Sequence, residues 1–265
     1  MKPPVVIAKP DNLNERNLEF EQAPLKTNLF LNSVPKSGSH LLKNIVRMFV
    51  PVEQQYDVDF IQFPTLKQHH HALIADPAKL SWGHLLFADT SSILLREARH
   101  IVLVRDPYDW VLARARFFLS DNFQGGLENL KHNAVDMPDF LNMMIFGIHE
   151  RFPNMQEIYL HNAAAWMGTQ ARMLKYEDLL EHVKNLDADA AEVFFRDLFD
   201  FAGIELPDDW RARIRIGSDR KQSGTARENL DLKGVSVPNE LPDAQKQLVE
   251  FTAPGLRALL GYFDG

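Results

Sequence analysis

Short, continuously apolar runs alternate along this chain with longer segments of helical period, and that alternation predicts most of its elements. Runs near 29–34, 82–87, 100–104 and 171–175 read as strands, and Ile101–Val104 is apolar and rich in β-branched residues, as a strand covered on both faces should be. Helices are expected near 40–49, 107–119, 137–147, 154–167, 190–202 and 243–251. In the first of them Leu41, Leu42, Ile45, Val46 and Phe49 form one apolar stripe, with Lys43 and Arg47 pointing elsewhere. Strands separated by helices imply a parallel sheet, so the expected fold class is α/β, a central parallel β-sheet flanked by helices. No Ser/Gly-rich linker, low-complexity tract or internal repeat divides residues 1–265, which are read as one domain. Residues 120–136 are polar and carry Gly125-Gly126, so they read as a loop of the length that closes over a site.

Two strand ends carry groups suited to anions. After the strand near 29–34, Ser37, Gly38 and Ser39 put closely spaced backbone N–H groups and two hydroxyls at a helix N-terminus, where unpaired donors and the dipole attract negative charge. Lys36 adds a mobile full charge. The loop is not the common nucleotide signature G-x-x-x-x-G-K-[ST], because Lys36 stands before its only glycine. The second site is Arg105, which leaves the Ile101–Val104 strand just ahead of Pro107, a residue suited to the first turn of a helix. An arginine fork fits a phosphate. Between the two, His84 stands in the otherwise apolar segment Trp82-Gly-His-Leu-Leu86, and a histidine of near-neutral pKa can take a proton from an attacking hydroxyl.

Pro35-Lys36-Ser37-Gly38-Ser39 resembles the 5′-phosphosulfate loop of sulfotransferases that use 3′-phosphoadenosine 5′-phosphosulfate (PAPS), and Arg105-Asp-Pro-Tyr-Asp109 resembles their 3′-phosphate motif. The resemblance implies a P-loop-like sulfotransferase fold and transfer of a sulfuryl group from PAPS to a hydroxyl or amine, leaving 3′-phosphoadenosine 5′-phosphate (PAP). It further implies Lys36 beside the leaving phosphate oxygen, His84 as the base, and Ser37, Gly38, Ser39, His40 and Leu41 around the 5′-phosphate and adenine. Arg172-Met-Leu-Lys-Tyr-Glu-Asp-Leu-Leu180 is similar to the family's strand followed by Tyr-Glu-Asp-Leu, which puts Tyr176 near the adenine. Gly217-Ser-Asp-Arg-Lys-Gln-Ser-Gly-Thr-Ala-Arg-Glu-Asn229 resembles the late loop that folds over the cofactor, with Arg220 and Lys221 on the 3′-phosphate and Gly224 and then Arg227 keeping its later half. Pro254-Gly-Leu-Arg-Ala-Leu-Leu-Gly-Tyr262 resembles the family's terminal helix.

The chain departs from the pattern in several places. Ala113 stands where the family has a second 3′-phosphate ligand, a serine; Trp82 replaces a lysine two residues before the histidine; Gln222 replaces the first glycine of the late loop; and His40 and Leu41 stand for threonine and tryptophan. Arg114 and Arg116 lie near Ala113 and two readings stay open for them: they supply charge in place of the serine, or they are solvated or paired with Asp109 and Asp121; they are not counted as cofactor ligands. Two alternatives stay in play: a P-loop small-molecule kinase, which the same strand, loop and helix favour and the lysine order opposes, and a non-catalytic nucleotide-binding protein of the same fold, which Ala113, Trp82 and Gln222 motivate.

Charge narrows the partners. Lys and Arg total 29 against 36 acidic residues, and the formal charge of −7 argues against a broad nucleic-acid surface, so the anion site must be local. No apolar run approaches the roughly 20 residues needed to span a bilayer, and the start, with Lys9-Pro10-Asp11, reads as no secretory signal. A soluble cytoplasmic enzyme acting on a small-molecule acceptor, without nucleic acid or membrane, is the expectation. Zero cysteines exclude disulfides, cysteine nucleophiles and thiolate metal sites. No metal is expected at His69-His70-His71 either, because adjacent side chains diverge. Trp82, Trp110, Phe117, Phe118 and Phe146 are candidates to line the acceptor pocket, and a homodimer is an open expectation.

Overall fold

The computed structural model describes residues 5–7, 9–224 and 226–263. Its centre is the strand Leu29–Ser33, buried along its whole length. Around it lies a five-stranded, all-parallel sheet whose order from one edge is Ile61–Gln62, Leu80–His84, Leu29–Ser33, Arg99–Val104 and Arg172–Lys175. Alternation along the strands deals side chains to two cores. Leu29, Leu31, Ile101 and Leu103 face one with Phe195 and Phe199, while Phe30, Val102 and Val104 face the other with Trp110, Phe140 and Tyr159. Both faces are covered, which is why these strands read as continuous apolar runs.

The helix Ser39–Arg47 presses Leu42, Ile45 and Val46 into the first of these cores. Leu80 and Trp82 lie in the same core, and the period of two puts His84 next in their row, on the face where this helix begins. Arg47 does not point away as its helical phase suggested. It is 3% exposed, pairs with Asp11 at 2.9 Å, and donates to Gln55 Oε1 and Asn14 Oδ1 at 2.9 and 2.7 Å.

Most predicted elements are present, with shifted limits. The helix Pro107–Leu119 is capped by Asp106, whose carboxylate accepts from the Tyr108 N–H. Met137–Phe146, Asp189–Ala202 and Asp243–Thr252 also form, while the helix expected to run to 167 stops at Asn162 and resumes only as a 3-10 turn at Ala164–Trp166. The strand expected at 82–87 spans Leu80–His84, because the Asn32 side chain takes over the backbone of Leu85: Oδ1 accepts from its N–H at 2.9 Å and Nδ2 donates to its carbonyl at 3.1 Å. Period alone did not reveal the edge strand Ile61–Gln62 or the helices Tyr176–Lys184 and Trp210–Gly217.

Within 120–136, Phe123–Gln124 pairs antiparallel with Val5–Val6, and the buried Lys131 ammonium donates to the carbonyls of Ser120 and Phe123. Among the described residues no helix is long and apolar enough to cross a membrane.

Asn32 is fully buried, so removing its amide strands the Leu85 N–H without a partner and leaves the Leu85 carbonyl with the Trp166 Nε1–H alone, at 3.2 Å. Asn32→Ala is expected to lower unfolding free energy by about 2–4 kcal/mol in urea titration; a loss under about 0.5 kcal/mol would show that water replaces the amide.

Candidate active site

The chain runs from the central strand to one edge of the sheet and then crosses to the other side. At such a reversal the loops after the strands diverge and leave a crevice at their C-terminal ends. Here a cavity of about 760 Å³ opens, lined by Lys36 and Gly38–Leu41 after the first strand, His84 at the end of the second, Arg105 after the third and Tyr176 after the fourth long strand. Its size suits a nucleotide-sized ligand.

Gly38 caps the Ser39–Arg47 helix at φ +93°, and a Cβ there would lie 2.3 Å from Tyr176 Cδ2. Only glycine admits both the backbone and the ring. Ser37 departs from expectation: it is fully buried, its N–H is spent on the Val34 carbonyl at 3.1 Å, and its hydroxyl does not line the cavity. Ser39, His40 and Leu41 do line it.

Lys36 sits in left-handed backbone at φ 72°, a conformation that non-glycine residues seldom adopt. Its Nζ lies 2.9 Å from the centre of the Phe117 ring, and burial pulls its pKa down to about 7. No carboxylate pairs with it among the described residues. An anion in the cavity would restore its charge.

His84 Nδ1 lies 2.9 Å from the Ser33 carbonyl and 3.0 Å from the Ser33 hydroxyl, which in turn lies 2.7 Å from the Ser39 hydroxyl. A carbonyl only accepts, so Nδ1 carries the proton and Nε2 keeps its lone pair. This is the tautomer a base requires. Burial lowers the His84 pKa to about 3, against the opposing pull of the Ser33 carbonyl, and the Phe60 ring covers it at 4.6 Å.

Arg105 lies over the Tyr176 ring at 4.6 Å and touches Asp109 only at 4.0 Å; its Nε–H is buried without a partner. A buried donor left open in a cavity wall is expensive unless a ligand accepts from it. Below it, Glu177 accepts from the Asp106 N–H at 3.1 Å and from Tyr262 Oη at 2.7 Å, while Asp106 pairs with Arg257 at 3.0 Å. The C-terminal segment is thereby tied to the loop that bears Arg105.

The late loop is placed less tightly. Arg220 lines the cavity but pairs with Glu228 at 2.9 Å, and Lys221 is exposed and outside the lining. Of the aromatic candidates only Phe117 reaches the cavity, whereas Trp82, Trp110 and Phe118 are core and Phe146 is exposed. His69 bonds Tyr56 Oη at 2.8 Å, His70 bonds the Lys67 carbonyl at 2.9 Å, and His71 packs edge-on to Tyr56, so the three do not converge.

Ser33, Asn44, Phe117, Arg116, Glu177 and Arg227 reach this site without having been singled out as ligands. Ser33 stands at the strand end and was open to reading; Asp109, Ala113 and Arg116 share a helical face, so their phase was also a signal. Arg227 stands in the late loop as one of the residues that keep its motif, and Asn44 had no signal.

No family model matches the chain, and no curated protein sequence matches it. The architecture is a sulfotransferase fold. A mouse sulfotransferase, SULT7A1, solved in complex with PAP, shares it with a TM-score of 0.53 and 16% identity, over 94% of this chain and 92% of that one.

Burial also holds His40 and His100 at about pKa 3, as it does His84. Unfolded imidazoles titrate near 6.5, so unfolding takes up protons between these values. Stability from this source is complete above about pH 6.5 and is lost as the pH falls toward 3, each histidine adding up to about 1.4 kcal/mol per pH unit. In urea titrations at pH 7 and pH 5, His84→Gln should flatten that slope by about one proton; an unchanged slope would mean His84 is already charged in the folded chain.

Proposed function

We propose that the chain is a PAPS-dependent sulfotransferase acting on a hydroxyl or amine of a small-molecule acceptor. The observation that carries this reading is His84: its proton sits on Nδ1 against the Ser33 carbonyl, which leaves Nε2 free in the cavity that also holds Lys36 and the open Arg105 donor. PAPS supplies a sulfuryl group on a good phosphate leaving group. His84 Nε2 takes the proton as the acceptor oxygen or nitrogen bonds to sulfur, while Lys36 meets the charge on the phosphate oxygen released when the sulfur–oxygen bond breaks.

The low pKa of His84 comes from burial. An anionic donor beside it favours the imidazolium and opposes burial, just as it returns charge to Lys36. Ser39 and His40 offer the helix N-terminus to the 5′-phosphate, Arg105 takes the 3′-phosphate, and Tyr176, held between Gly38 and Arg105, offers a face to the base. Arg220 joins by exchanging Glu228 for phosphate, and Lys221 needs movement of its loop to follow.

The reaction is readable without knowing the natural acceptor, as PAP-dependent release of 4-nitrophenol from 4-nitrophenyl sulfate, followed by PAPS-dependent sulfation of phenols, alcohols and amines. His84→Ala and Lys36→Ala are each expected to lower kcat by roughly 100- to 10,000-fold, with PAP binding weakened less in His84→Ala. Stabilisation by ATP with Mg²⁺ in place of PAP would favour the kinase, and PAP binding without transfer to any acceptor the non-catalytic protein.

A further inference from the structure

The gap at Ala113 is bordered by a charge one turn further along the same helix. Asp109, Ala113 and Arg116 fall on one face of Pro107–Leu119, and all three line the cavity together with Arg105. Arg114, the neighbour in sequence, is turned away: its guanidinium donates to the carbonyls of Met144 and Pro153 at 2.8 and 2.9 Å and packs on Trp110 and Phe118. It is part of the core. Among the described residues neither arginine forms an ion pair with Asp109 or Asp121, so of the readings open from sequence the pairing one does not hold.

Arg116 is only 9% exposed, yet its guanidinium is held by one backbone carbonyl, that of Pro238, with no carboxylate at ion-pair distance among the described residues. Arg227, more exposed, reaches the same cavity from the late loop with an amide partner, Asn239 Oδ1, at 3.0 Å. Burial lowers the Arg116 pKa first, and the nearby charges of Arg227 and then Arg105 lower it further. Three guanidinium groups from a strand end, a helix and a loop thus repel one another across one cavity. Asp109 is at ion-pair distance of Arg105 alone, at 4.0 Å, and offsets the repulsion at Arg116 less than Arg227 and Arg105 add to it, while Glu228 is taken by Arg220. Like charges gathered this way are costly until an anion sits between them.

We propose that Arg116, assisted by Arg227, is the ligand that replaces the missing hydroxyl at the donor's 3′-phosphate, so that this chain grips that group by an arginine cluster around Arg105. The inference rests on the donor proposed above. A guanidinium offers two parallel charged donors where a serine offers one neutral hydroxyl, so selection for a 3′-phosphorylated nucleotide should depend steeply on Arg116 and on salt.

Calorimetric titration of PAP and of adenosine 5′-phosphate into the wild-type chain and Arg116→Gln separates the outcomes. The variant is expected to bind PAP roughly 10- to 100-fold more weakly and adenosine 5′-phosphate within about twofold of wild type. Adding Ala113→Ser to Arg116→Gln should recover part of the loss, again for PAP alone. Equal weakening of both nucleotides, or of neither, overturns the assignment. If Arg116→Gln does not fold, Arg116→Lys keeps the charge without the fork and should still weaken PAP selectively; an unchanged PAP affinity there overturns the fork. A wild-type chain that binds the two nucleotides equally removes the donor reading itself, whatever the variants do.

Discussion

The end of the central strand organises everything functional in this molecule. At Asn32 and Ser33 two successive side chains point to opposite faces of the sheet. Asn32 reaches across to the backbone of Leu85 and ends the neighbouring strand there, while Ser33 holds His84 by its carbonyl and hydroxyl and touches Ser39 at the helix N-terminus. The strand end, His84 and the start of the Ser39–Arg47 helix are therefore linked by hydrogen bonds, and a parallel sheet lies beneath them.

Above that unit the dominant physical quantity is desolvation. A buried lysine with no carboxylate, a histidine under an aromatic ring and an arginine with an open Nε–H each cost free energy in the unliganded chain. Carboxylates are nearby but otherwise engaged: Glu177 with Tyr262 and the Asp106 backbone, Asp106 with Arg257, Glu228 with Arg220. The fold thereby keeps its negative charges bound to structure and its positive charges turned to the cavity, in a protein whose formal charge is −7. This local inversion of the overall sign suits the cavity to an anionic ligand.

The fold also shows why tolerance of motif departures differs from place to place. Gly38 has no freedom, because Tyr176 fills the space of a Cβ. At Ala113 the short side chain leaves the cavity wall open, and Arg116 lines the same cavity from the same helical face. In the late loop, exposed side chains paired with one another can exchange partners, so Gln222 in place of a glycine leaves Arg220 on the cavity.

Much was legible in the residues themselves. Apolar runs and helical period marked the buried strands and the main helices, because burial on both faces of a parallel sheet leaves a direct trace in residue type. The placement of Lys36, Ser39, Arg105 and Tyr176 near one another followed from strand ends, since all C-terminal ends of a parallel sheet share one side. What sequence left undetermined concerns direction and partnership. Arg47 and Arg116 are chemically alike and both buried, but one is closed by Asp11 and the other faces a cavity. Arg114 and Arg116 stand two residues apart and point to opposite fates. Whether a side chain lands in a wall or on a ligand depends on distances between segments remote in sequence, and only tertiary packing decides those.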